Sequence, residues 1–176
     1  MHTHIRSESG FSLIETMVAM LVLTVGAIGM ASVFLYGMQN VASSPNELTA
    51  TQKAAEAIES VFSARDSHTI TWAQLRNASF GGVFVNGQKN VTLAGADGIV
   101  NTADDGAVES VQFPGPDQLL GTGDDTTQTL TNWKREIKIT DVTGDLDLRM
   151  VTVTITYPAG SVTRTYSLTV YISSYA

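Results

Sequence analysis

Oxygen-bearing side chains recur at fixed spacing in one part of this 176-residue chain. Gly95-Ala96-Asp97-Gly98-Ile99-Val100-Asn101-Thr102-Ala103-Asp104-Asp105 aligns without gaps to Gly115-Pro116-Asp117-Gln118-Leu119-Leu120-Gly121-Thr122-Gly123-Asp124-Asp125. Glycine, the first aspartate, an aliphatic pair, threonine and the closing aspartate pair keep their places in both copies. Hard oxygen ligands at flexible spacing suit calcium, which takes roughly six to eight of them. The lack of cysteine and histidine in the stretch argues against zinc. One or two calcium ions are therefore expected, with Asp97, Asn101, Asp104, Asp105, Asp117, Asp124 and Asp125 as candidate ligands. The spacing is not that of an EF-hand, because neither the Asp-x-Asp-x-Asp-Gly run nor the twelfth-position glutamate is present. A solvated acidic loop is the plainer alternative. The identical placement of the acids, and glycines that let carbonyls turn inward, favour the ion.

Catalytic constellations are not evident. His2 and His4 lie near the start, His68 stands alone, and no nucleophile elbow, phosphate loop or zinc spacing occurs. A net charge of −7 with 15% charged residues argues against a nucleic-acid partner. Asp97, Asp104, Asp105, Glu109, Asp117, Asp124 and Asp125 face no lysine or arginine between Asn90 and Trp133, and they account for that whole net charge. With no cysteine, no disulfide can staple a small domain, and metal is the usual substitute.

A carboxylate apart from these, Glu15, stands at the mouth of an apolar run. No charged side chain occurs from Thr16 to Asn46, and Met17–Tyr36 is apolar except for Thr24, Ser32 and two glycines. About twenty such residues span a bilayer's hydrocarbon core. A secretory signal cleaved near Met30-Ala31-Ser32, or a plain membrane anchor, would account for the run. Neither explains Glu15, since an ionisable group within a membrane costs roughly 2.5–3.5 kcal/mol at mid-bilayer and calls for a partner. A freed α-amino group is a good one.

Gly10-Phe11-Ser12-Leu13-Ile14-Glu15, followed by a charge-free helix, resembles the class III signal of type IV pilins and pseudopilins. The resemblance implies cleavage by a membrane-embedded prepilin peptidase between Gly10 and Phe11, after a leader of residues 1–10. It implies N-methylation of Phe11 and pairing of Glu15 with the N-terminal amine of a neighbouring subunit. Expected partners are other pilin subunits, the peptidase and an inner-membrane assembly platform. The expected location is the inner membrane as a single span, then a periplasm-spanning or cell-surface filament. The leader carries little positive charge, a departure from the usual pattern. The same resemblance implies partial unwinding between the Gly26–Gly29 patch and the first proline in filaments. The repeated acidic loops are similar to the Gly-x-Asp-Gly-x-x-Gly-Thr-x-Asp-Asp calcium loops of some secreted proteins, and resemble the calcium loop of type II secretion pseudopilins. A secreted or membrane-anchored calcium-binding adhesin-like β domain with an ordinary signal is the other reading.

The remaining elements follow from local signals. Ser44-Pro45-Asn46-Glu47 reads as a capping box with proline at the first helical position, so an amphipathic helix is expected to start or kink there. Its face should carry Leu48, Thr51, Ala55, Ile58 and Phe62, and it should end near Arg65. Thr71–Arg76 reads as a short capped helix closed by Gly81-Gly82. Val83–Val85 and Asn90–Leu93 should pair as a hairpin through Asn86-Gly87. Asn77-Ala78-Ser79 matches a glycosylation sequon by pattern alone. From Thr129, period-two alternation predicts three antiparallel strands, with threonines outward and Trp133 and Tyr166 in the core. The expected class is α+β: a 11–43 membrane and filament-core helix, then a 44–176 head with a 45–65 helix, a 94–126 acidic insertion and 129–173 strands.

Overall fold

A computed structural model describes residues 10–175, with the side chains of residues 39–44 outside that description. The expected leader, apart from Gly10, and the expected Ser44 side-chain cap therefore lie outside the described residues. Helical backbone, α1, runs from Leu13 to Asp66 with Pro45 inside it. The helix does not restart at Ser44. The chain instead divides into two compact units between Ala42 and Ser43, beside that proline. In the first unit the helix also continues through Gly26 and Gly29, where local unwinding was expected of filaments. Leu13–Met38 is long and apolar enough to cross a membrane, with mean hydropathy 2.4 and its side chains exposed. Its threonine and serine hydroxyls are satisfied internally: Thr16 Oγ1 donates to the Leu13 carbonyl at 2.8 Å, Thr24 Oγ1 to that of Met20, and Ser32 Oγ to that of Ile28 at 2.9 Å.

The second unit is α+β. The antiparallel strands β1 (Lys89–Asn90), β4 (Lys134–Val142), β5 (Asp145–Ala159) and β6 (Val162–Ser173) form a four-stranded sheet in the order β1-β4-β5-β6. Strands β2 (Ser110–Phe113) and β3 (Thr126–Thr129) form a separate ribbon. The alternation in the sequence is realised: Ile137, Ile139, Val151, Val153 and Ile155 are buried against the 45–66 part of α1, while Thr152 and Thr154 meet Thr169 and Ser167 on the outer face. Trp133 is core, stacked on Tyr157 with ring centroids 5.3 Å apart, and Tyr166 packs at the core's edge.

Two local expectations are corrected. The buried helix face is Ala50, Ala54, Ala57, Ile58, Val61 and Ala64; of the expected face Ile58 is buried and Thr51 and Phe62 half-buried, whereas Leu48 and Ala55 are exposed. Small side chains let the helix approach a sheet already filled by Trp133, Tyr157 and β-branched residues, so bulk was a misleading guide to the inward face. The Asn86-Gly87 hairpin does not form. Phe84 bridges Asn77 in parallel, the Val85 N–H donates to the Asn101 carbonyl at 2.9 Å, and β1 pairs with β4. Gly87 does take the left-handed φ of 71° that the turn signal implied.

Candidate functional site

At the N-terminus, Gly10 and Phe11 precede the helix and are exposed. The Ser12 carbonyl accepts from Glu15 N at 3.0 Å and Thr16 N at 3.2 Å, which fixes the first turn. Glu15 lies in that turn, where unpaired backbone N–H groups favour a carboxylate. The carboxylate is therefore compatible with the start of the helix, and it is exposed and open to a partner.

The two acidic stretches fold alike, each at the end of an antiparallel ladder. The first is flanked by the Thr92–Val108 bridge and by the bond from Leu93 N to the Ala107 carbonyl, the second by β2 and β3. Asp97 Oδ1 accepts from Ile99 N at 2.8 Å, and Asp117 Oδ1 from Leu119 N at 2.9 Å. Asp104 Oδ2 accepts from Asp97 N at 3.2 Å, and Asp124 Oδ2 from Asp117 N at 3.3 Å. Thr102 and Thr122 donate their hydroxyls to Asp104 and Asp124 at 2.8 and 2.6 Å. Asp105 takes the N–H groups of Asn101 and Thr102, and Asp125 those of Gly121 and Thr122. The hydroxyl bonds, reinforced by backbone N–H donors, hold the Asp104 and Asp124 carboxyls below the usual range.

Each loop is thus closed by its own donors. Among the described residues, no three histidine or acidic side chains gather as a group that would hold a metal ion. The seven candidate ligands fall into two sets, Asp97, Asn101, Asp104 and Asp105 in one loop and Asp117, Asp124 and Asp125 in the other. One acceptor is left over: Asn101 Oδ1 is buried without a hydrogen-bond partner.

The first loop is wired into the head through buried charge. Arg135, on the inward face of β4, lies 3.7 Å from Asp105 and 3.5 Å from Glu109, and donates to the Thr92 carbonyl at 3.0 Å. Lys53 of α1 meets Glu109 at 2.6 Å and Glu56 at 2.7 Å. Burial works against the Lys53 ammonium, but its bonds to the two glutamates outweigh that and raise its pKa. Burial lowers the pKa of Arg135 despite the nearby acids. Two network members, Asp105 and Glu109, belong to the acidic region that a charge count reads as unpaired; their cations come from outside it.

Asn77 has a role that the sequence reading did not assign. Its Nδ2 donates to the Ile137 carbonyl at 2.7 Å and its Oδ1 accepts from Ile139 N at 2.8 Å, so the side chain serves as a strand partner for β4. Asn77 is buried, which removes the sequon's acceptor nitrogen from the surface of the folded chain. Arg149 also went unread. It is buried in β5, donates to Asp141 at 2.8 Å and to the Leu75 and Trp72 carbonyls, and lies 4.1 Å over the Trp72 ring. Thr71 and Gln74 form the expected capping box at the start of that segment, although it is a 3₁₀ turn of three residues.

Comparison with known families matches residues 5–31 to the prokaryotic N-terminal methylation motif, a span that contains Gly10, Phe11 and Glu15. No curated protein and no solved structure matches the chain.

Proposed function

We propose that this chain, which carries the N-terminal methylation motif of type IV pilin-like proteins, is a structural subunit rather than an enzyme, a minor pilin or pseudopilin that enters an envelope-spanning filament through residues 11–43. The methylation motif carries the reading. Cleavage falls between Gly10 and Phe11, Phe11 is N-methylated, and Glu15 pairs with the terminal amine of the neighbouring subunit. The apolar helix anchors the chain in the inner membrane before assembly. Support for the Glu15 role comes from its place in the first turn of an apolar helix, where a carboxylate suits the helix N-terminus and the sequence offers no lysine or arginine between it and Lys53. The Glu15→Ala variant is expected to be inserted and processed as the wild type but to be several-fold depleted from sheared filaments, measured by immunoblot. Normal incorporation would remove the pairing role. N-terminal sequencing that begins near Ser32 rather than at Phe11 would replace the whole reading with that of a secreted domain.

Calcium bound by the two acidic loops is a second part of the proposal. Its support is the donor chemistry: six aspartates in two matched sets, two of them held ionised, and the unsatisfied Asn101 Oδ1. Chelator is expected to lower the melting temperature of the full chain in detergent, and Asp104→Ala with Asp124→Ala to abolish that difference. A melting curve indifferent to chelator would leave the loops closed by hydrogen bonds alone.

A further inference from the structure

The twin loops share their hydrogen bonds but not their surroundings. In the first, Ile99 is 2% exposed within the core, Val100 N donates to Ser60 Oγ of α1 at 3.2 Å, and Asp105 has Arg135 at 3.7 Å. In the second, the matching Leu119 and Leu120 are 62% and 63% exposed. Among the described residues, no cation forms an ion pair with Asp125. Internal bonds hold this loop in the same shape as its buried twin, so the leucine pair is displayed from a preordered platform. Preorganisation of this kind reduces what association costs.

We propose that the second loop is a docking element for a protein surface that supplies what α1 and β4 supply to the first. That surface has an apolar seat on a helix face for Leu119 and Leu120, beside a guanidinium or ammonium group for Asp125. The chain itself contains the seated form of the module, which specifies the chemistry of the partner. Charge points the same way: Asp117, Asp124 and Asp125 lie in a stretch without lysine or arginine, and a basic rim would steer the encounter. The equivalent seat on this chain is filled by its own covalently attached first loop. The partner is therefore a different protein, not a second copy. Nothing in this depends on filament assembly, since a secreted head would display the same loop.

The test places a photoreactive phenylalanine analogue at Leu120 of the full-length chain in its own cells and maps the adduct by mass spectrometry. The expected adduct lies on another protein, at an apolar helical position with arginine or lysine within one turn. Asp125→Asn should cut the yield several-fold and Leu119→Asp should remove it, with the near-ultraviolet circular dichroism of both variants unchanged. A probe at Leu146, which is 88% exposed at the start of β5, should give no such adduct. Adducts only to lipid, carbohydrate or a second copy, no adduct, or a yield indifferent to both substitutions would overturn the proposal. Processing after Gly10, followed in the same cells, keeps this result separate from the filament reading.

Discussion

A methyl group at Gly95 would collide with the carboxylate and the carbonyl of Asp104, and one at Gly115 with those of Asp124. The carboxylate can turn away, but the carbonyl can move only with the backbone. The two loops therefore face the same steric problem with different consequences. Asp105, one residue on from Asp104, belongs to the buried network with Arg135, whereas the second loop is exposed between a half-buried Gly115 and a half-buried Asp125 and has no such ion pair among the described residues. Gly95→Ala is expected to cost about 1–3 kcal/mol, the usual range for overpacking, and to lower the melting temperature by several degrees. Gly115→Ala should leave the global transition almost in place. Equal falls in the two variants would mean that the first loop is not tied to the core as its contacts indicate. The sequence displayed both glycines through the repeat, but it could not say that Arg135 makes one of them matter more. That difference depends on a cation thirty residues downstream of Asp105.

Elements whose signals are local were legible, and those decided by tertiary contact were not. The period-two runs gave β4, β5 and β6 with the correct inward faces, because each strand buries one side against a helix. The Asn86-Gly87 hairpin failed because Asn77 and Asn101 offer Phe84 and Val85 other partners. Asn77 also completes the outer edge of β4, and removing it tests how much that edge depends on one side chain. Asn77→Ala leaves the Ile137 carbonyl and the Ile139 N–H without their partner. At about 1–3 kcal/mol for each buried group left unsatisfied, the two groups predict a loss of about 2–6 kcal/mol in urea denaturation. Asn77→Asp keeps the shape and the acceptor but loses the donor, and should recover little of it. A cost below about 0.5 kcal/mol for the alanine variant, the usual size of a surface change, would show that the edge is sealed some other way.

At the scale of the molecule, the division between Ala42 and Ser43 separates two regions with opposite solvent requirements. Before it, Leu13–Met38 exposes apolar side chains on every face, as lipid or a bundle of like helices requires. After it, the head has its own core, from Ala50 on the helix to Ile172 on β6. The sequence made this contrast visible through hydropathy and the position of Pro45, though not that helical backbone would run through the proline. That continuity has a consequence for a chain cut at the division. In the full helix Pro45 lacks an N–H to donate to the preceding turn, which weakens the helix there. In a fragment starting at Ser43, the same proline falls in the first turn, where a missing N–H costs nothing and its fixed φ favours helix. Asn46 Nδ2 still reaches the Pro158 carbonyl at 2.8 Å, pinning the new helix start to the turn between β5 and β6. The fragment 43–176 is therefore expected to fold without detergent, with a cooperative thermal transition and a near-ultraviolet signal from the Trp133–Tyr157 stack. A fragment without that signal, or one that melts gradually, would mean that the head needs the 13–42 part of α1 for its 45–66 part to fold.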